Sequence, residues 1–197
     1  MSVILQFVTV LLTAAFVENI IFTRSLGTSW VLYLVRQPKD LFCYTGLLAA
    51  VSLVSSMVSY PLRRPLSGSA DSYILLPMAS IVCVIVIYVA AYFLLRWFWP
   101  AFFEKIKDNM TTAIFNGVML GGLLIPAIER LDFVGTIGYS LGTSLGFAVA
   151  VVLVGFGVER VQLCHVPKAF RGLPVVLIYL GLLSLAFYGL VGHQLPT

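Results

Sequence analysis

The feature that most constrains this chain is the apolar run from Val3 to Val35, 33 residues long, with a polar stretch set in its middle. That stretch, Glu18 to Ser29, reads Glu-Asn-Ile-Ile-Phe-Thr-Arg-Ser-Leu-Gly-Thr-Ser. One continuous helix of this length would measure roughly 50 Å, against a bilayer hydrocarbon core of roughly 30 Å. Glu18 and Arg24 would be costly facing lipid. The run is therefore predicted to be a broken helix. Its polar elbow must be buried in protein at membrane depth, because irregular backbone survives there only inside protein or beside a water-filled cavity.

The rest of the sequence fits a membrane setting. Hydrophobic residues make up 60% and charged residues 10%, with a mean hydropathy of +1.04. This composition excludes an ordinary soluble domain and predicts an all-α integral membrane protein with a single membrane domain over 1–197. The first residues have neither a basic leader nor a small-residue cleavage site, so the amino terminus is read as a span. Basic residues are scattered between apolar segments rather than gathered in a stripe, which argues against nucleic acid as a partner. Cys43, Cys83 and Cys164 have no paired spacing, so no disulfide framework is expected.

Six apolar segments follow: Val3–Val35 (broken), Leu41–Tyr60, Tyr73–Leu95, Thr111–Ile128, Phe133–Val158 and Leu173–Val191. The first, third and fifth connectors hold eight Lys and Arg residues; the second and fourth hold three, namely Arg63, Arg64 and Arg130. The excess predicts that connectors one, three and five are cytoplasmic and both termini lie outside, in the cell membrane. Trp97 and Trp99 fit headgroup-level anchors. Gly138, Gly142 and Gly146 are spaced by four and clear one face of the fifth span for close helix approach.

A second weak point, Asn116-Gly117-Val118-Met119-Leu120-Gly121-Gly122, interrupts the fourth span. Setting Ser29-Trp30-Val31-Leu32 over Gly117-Val118-Met119-Leu120 gives an offset of 88 residues. The chain then divides into halves of three spans each, about 1–98 and 99–197, each opening on an interrupted span. Three spans per half force opposite orientations, so the prediction is two inverted three-helix repeats. Spans one and four are broken at mid-membrane, with a site where the breaks meet.

Several residues carry open readings. Glu18 and Arg24 are either an intramembrane proton or ion site, or a charge pair that fixes the elbow. Asn19 and Asn116 are expected to cap half-helices or to satisfy freed backbone groups. Cys83 is read as a small buried hydrophobe rather than a metal ligand. Cys164-His165 is a poor chelate and is read as structural. Lys168 and Arg171 are read as topology-setting charges with a docking role as the alternative, and His193 as solvated.

The carboxyl-terminal run Val166-Pro167-Lys168-Ala169-Phe170-Arg171-Gly172, continuing through Gly181 to Phe187, resembles the RnfA/NqrE family. Asn19, Arg24, Leu26 and Gly27, and the glycine-rich stretch Phe133–Phe147, agree with it. These are small six-span subunits of the Rnf complex (ferredoxin:NAD oxidoreductase) and of the sodium-pumping NADH:quinone reductase. The resemblance implies a broken-helix inverted repeat and a homologous RnfE/NqrD-like partner. It also implies an iron or [2Fe-2S] centre shared with that partner, which relays electrons across the bilayer. In this chain the positions matching the family's iron-ligand cysteines are Ser29 and Gly117. Two functions stay open: an RnfA-like subunit with no activity of its own, or a redox-silent transporter or structural module on the same scaffold. The transporter's site would be built at the elbow from Glu18, Asn19, Arg24, Ser29 and Asn116.

Overall fold

The structure, a computed structural model, describes residues 3–67, 72–162 and 166–191. Cys164, His165 and His193 lie outside the described residues. The helices are α1 (Val3–Leu12), α2 (Ile20–Arg24), α3 (Thr28–Arg36), α4 (Leu41–Ser67), α5 (Ser72–Phe98), α6 (Pro100–Ile114), α7 (Gly117–Ile128), α8 (Phe133–Gln162) and α9 (Leu173–Val191). Short 3-10 turns at Pro38–Asp40 and Lys168–Phe170 lead into α4 and α9.

The leading apolar run breaks, and it breaks twice. A π-helical turn over Thr13–Val17 follows α1 and closes with the Glu18 N–H donating to Thr13 O at 2.7 Å. This wider turn ends regular helix at Glu18, and α2 starts two residues later, at Ile20. Ser25 and Gly27 then take left-handed backbone conformations (φ 56° and 79°) before α3 begins. The fourth predicted span breaks once, at Phe115–Asn116, between α6 and α7.

Helix boundaries elsewhere correct two expectations. Helix α4 runs to Ser67, past its expected end at Tyr60, so Arg63 is a helix residue rather than a connector charge. The stretch from Arg96 to Asp108, expected as a connector, is the end of α5 and the first turns of α6. Pro100 starts α6 at a position where its missing N–H costs nothing, and Lys107 donates to Glu104 one turn back at 2.7 Å.

Among the described residues, four stretches are long and apolar enough to cross a membrane: Pro38–Arg63, Ile74–Phe98, Asn109–Ile128 and Phe133–Val161. Val3–Val17 and Leu173–Gly189 are shorter apolar helices. The outward surface is apolar, unlike that of a soluble protein. Helix α5 presents Val82, Val86, Phe93 and Trp97 outward, and α9 presents Leu182 and Leu185. The largely apolar interior also holds Asn19, Asn116, Ser52, Ser55, Ser56, Ser59, Thr136, Ser140, Thr143 and Ser144. Exposed apolar helix faces around a hydroxyl-bearing interior are stable where the solvent is hydrocarbon and helix contacts rest on packing and hydrogen bonds.

Helices α4 and α8 share that hydroxyl seam. Ser56 and Ser140 hydrogen-bond across it, and Ser52 Oγ donates to Met119 Sδ on α7 at 3.1 Å. Arg63 ties the seam's end, donating to Thr136 Oγ1 and to Leu123 O, each at 3.2 Å.

The glycine stripe of α8 receives α1, as its spacing predicts. A Cβ on Gly138 would lie 3.0 Å from Phe7 O, one on Gly142 2.5 Å from Leu11 O, and one on Gly146 3.0 Å from Ala15 O. Residue numbers rise together on both helices, so α1 and α8 run parallel. Asp132 fixes their common start: its Oδ1 caps α8 by accepting from Gly135 N at 3.0 Å and accepts from Gln6 Nε2 at 2.9 Å.

Gly142→Leu should therefore destabilise the bundle by about 1–3 kcal/mol through overpacking. Gly155→Ala, on the same helix with nothing within 4 Å of the added Cβ, should stay within about 0.5 kcal/mol of the parent. Unfolding of both variants in one detergent measures the difference.

Candidate functional site

The two breaks are built alike, each around a buried asparagine. Asn19 caps α2: its Oδ1 accepts from Ile21 N at 3.1 Å. Its Nδ2 donates to Ala15 O, four residues back, at 2.9 Å and to Gly146 O on α8 at 2.8 Å. Both amide protons and the carbonyl are thus engaged, as full burial demands.

Asn116 caps α7, accepting from Val118 N at 3.3 Å. Its Nδ2 donates to Tyr44 OH at 2.9 Å, and that hydroxyl donates to Thr112 O at 3.2 Å. Thr112 stands four residues before Asn116, as Ala15 does before Asn19. The second break therefore satisfies the same freed carbonyl as the first, through one intervening phenol.

These asparagines are 97 positions apart, whereas the sequence match of Ser29 with Gly117 has an offset of 88. The nine-residue difference is taken up by α2 and its left-handed turn, which lie between Asn19 and α3 and have no counterpart between Asn116 and α7. Gly117 directly follows its capping asparagine. Ser29 instead follows the second interruption, capped by Gly27.

The breaks meet. A Cβ on Gly27 would lie 2.2 Å from Val118 Cγ2 and 2.9 Å from Asn116 Oδ1, and one on Gly117 would lie 3.4 Å from Gly27 N. Only glycine tolerates both this approach and the φ of 79° at position 27. On the next turn of α7, Gly121 leaves room for Ile20 and Leu26.

The remaining elbow residues are less buried than the two asparagines. Ser29 and Arg24 are exposed, and Glu18 and Gly117 are half-buried. Among the described residues the ion pair within 4.0 Å is Glu104–Lys107, so Glu18 and Arg24 do not pair to fix the elbow; the asparagines do. Both charges act instead on Glu129, at the carboxyl end of α7. Burial of its carboxyl, and then the negative charge of Glu18, hold the Glu129 pKa above the ordinary 4.5, while Arg24 pulls it down. Glu129 thus feels the charges of both Glu18 and Arg24 from the carboxyl end of α7.

The residues at the breaks do not fit an iron centre held by this chain. Gly117 has no side chain, and Ser29 offers one hard hydroxyl where thiolates are needed. Cys43 is exposed on α4. Cys83 lines a separate small cavity with Ser59, Arg63 and Ser80, to which none of the elbow residues contributes. Among the described residues no three His, Cys, Asp or Glu side chains gather as a metal site.

The family model for Rnf-Nqr membrane protein subunits matches residues 7–193. The chain belongs to that family. It is 27% identical over 190 residues to the A-type subunit of the Na(+)-translocating ferredoxin:NAD(+) oxidoreductase complex of Acetobacterium woodii, covering 94% of this chain and 97% of that one. It is 26% identical over 195 residues to the A-type subunit of the proton-translocating ferredoxin:NAD(+) oxidoreductase complex of Clostridium ljungdahlii, covering 95% and 97%. Over a shorter stretch of 93 residues it is 38% identical to the A-type subunit of the ion-translocating oxidoreductase complex of an Azoarcus species, covering 47% and 48%. As an Rnf-Nqr subunit with these apolar helices, the chain is a membrane-embedded protein.

Asn19→Ala should cost about 1–2 kcal/mol for the lost cap. Asn19→Asp should cost more, because its carboxylate would face the Ala15 and Gly146 carbonyls with no proton to offer. Thermal unfolding at pH 7 ranks the two variants.

The raised pKa of Glu129 gives a signed pH dependence. The folded state favours the protonated acid, so this residue's contribution is most favourable below its ordinary pKa and declines as pH rises through the higher folded value. Glu129→Gln should match the parent at pH 4 and exceed it slightly at pH 8. The difference is small because the side chain is exposed, and unfolding midpoints across that range measure it.

Proposed function

We propose that this chain is an A-type membrane subunit of an ion-translocating electron-transport complex of the Rnf kind, acting with other subunits and without activity alone. In this reading it crosses the bilayer six times as two inverted three-helix repeats. The first and fourth crossings are the interrupted ones, and both termini lie outside. The excess of Lys and Arg on connectors one, three and five supports that orientation. The observation that carries the proposal is the contact of the two breaks through Gly27 and Asn116–Gly117, each break sealed by an asparagine amide. Two discontinuous helices meeting inside a bundle form the usual place for an ion or substrate site in inverted-repeat membrane proteins.

The surface beside that contact is open to a partner. Phe115 and Ser29 are exposed next to it, and a homologous RnfE/NqrD-like subunit set against this face would complete the site. Electron relay through this chain would require sulfur ligands from such a partner alone, since Ser29 and Gly117 provide none. The absence of thiolates at both positions favours a second reading of the elbow, as a redox-silent polar gate in the same complex. There Glu18 and Glu129 offer carboxylates and Arg24 offers the opposing charge, and a proton or metal cation is what such a set would hold or pass.

The complex purified with its natural partners separates the readings. Glu18→Gln should lower the number of ions moved per electron at least threefold with iron content unchanged. Both Na+ and H+ uptake into proteoliposomes are followed, because the relatives' names divide between them. A reducible iron signal in electron paramagnetic resonance that is lost in Cys83→Ala, or when a partner subunit's cysteines are replaced, would restore the relay and sink the gate.

A further inference from the structure

At the end of the bundle where α3 stops and α9 starts, a cavity of about 510 Å³ opens between α3, α8 and α9. Its walls are apolar, from Val35, Val158, Val161 and Val176. Two guanidinium groups, Arg36 and Arg171, also line it, and among the described residues no acidic side chain does. The Arg171 Nε donates to Val166 O at 2.9 Å, which anchors the guanidinium and leaves its two Nη groups for an anion. Arg36, exposed at the last turn of α3, makes no hydrogen bond or ion pair among the described residues. Lys39, Arg160 and Lys168 stand on the helix ends and turns at this end of the bundle, against Asp40 and Glu159.

We propose that this cavity binds an acidic phospholipid, with the phosphate between Arg36 and Arg171 and the upper acyl methylenes along the valine wall. Charge selects the headgroup: two arginines facing one cavity without a carboxylate are matched by a phosphate, which guanidinium groups bind through paired N–H donors. Apolar walls select the chain, because a free phosphate would leave the valines unpaired with anything. A volume of this size suits an amphiphile of that kind, and a basic pocket between helices at a membrane interface is where anionic headgroups are held. The run Val166 to Gly172 gains a role thereby. Its 3-10 turn and left-handed Gly172 (φ 86°) set Arg171 at the cavity edge just before α9. The inference needs the membrane setting only and is independent of how ions or electrons pass the elbow.

The full chain in detergent, stripped of lipid and titrated with phosphatidylglycerol or phosphatidylcholine of identical acyl chains, tests this by native mass spectrometry. Phosphatidylglycerol should be retained at least fivefold over phosphatidylcholine. The preference should vanish in Arg36→Gln/Arg171→Gln and persist in Arg36→Lys/Arg171→Lys. Equal retention of both lipids, or no effect of the Gln variants, overturns the proposal. So does displacement of phosphatidylglycerol by an equal concentration of inorganic phosphate. Should the Gln variant fail to fold, p-benzoylphenylalanine in place of Val161, photolysed in cells, decides on an otherwise native chain. A crosslink to phospholipid supports the site, and a crosslink to polypeptide overturns it.

Discussion

Every backbone amide and carbonyl that a broken helix frees inside a bilayer has to find a partner within the protein, since the surrounding hydrocarbon provides none. That requirement shapes this molecule around Asn19 and Asn116. A carboxamide suits the task because one side chain carries an acceptor for the restarting helix and two donors for carbonyls left behind. Asn19 uses all three within reach of its own stretch of chain and of Gly146. Asn116 gives a proton to Tyr44, whose hydroxyl carries the satisfaction on to Thr112. Between them the two side chains and the phenol engage the Ile21 and Val118 amides and the Ala15, Gly146 and Thr112 carbonyls.

Packing follows from the same constraint. For Asn19 to reach Gly146 O, α1 must lie against α8 without intervening side chains, and Gly138, Gly142 and Gly146 remove them over two full turns. At the breaks themselves Gly27 and Gly117 bring two backbones together, and the aromatic rings of Trp30, Tyr44 and Phe147 wall one side, with centroid separations of 5.8 and 5.3 Å. The glycines that shape the packing and the asparagines that seal the breaks are therefore one system: altering the α1–α8 approach would withdraw the carbonyl on which Asn19 depends.

Much of this was legible in the amino-acid order because it is local. The polar interruption at Glu18–Ser29 inside an over-long apolar run demanded a break, the four-residue glycine spacing announced a close approach, and α9 begins and ends where its apolar segment does. What escaped reading depends on residues far apart in the chain. Nothing near Tyr44 marks it as a relay for Asn116, 72 positions on. Arg63 looked like a connector charge because two prolines surround it, and only the packed α7 provides the Leu123 carbonyl it meets. The π turn at Thr13–Val17 has no residue signature, so the likeness of the two asparagine caps was hidden behind the more obvious likeness of Ser29–Leu32 to Gly117–Leu120.

The absence of sulfur at Ser29 and Gly117 acquires a structural meaning from these contacts. The described interactions that hold the two breaks together are amide caps, a phenol bridge and glycine contacts, and each is complete without a metal. A scaffold whose irregular backbone is satisfied in this way does not depend on an iron centre for its shape. The charged side chains of Glu18, Arg24 and Glu129 take no part in those contacts. In this chain the two breaks are therefore held by carboxamides, a phenol and glycines, and the side chain of Ser29 takes no part.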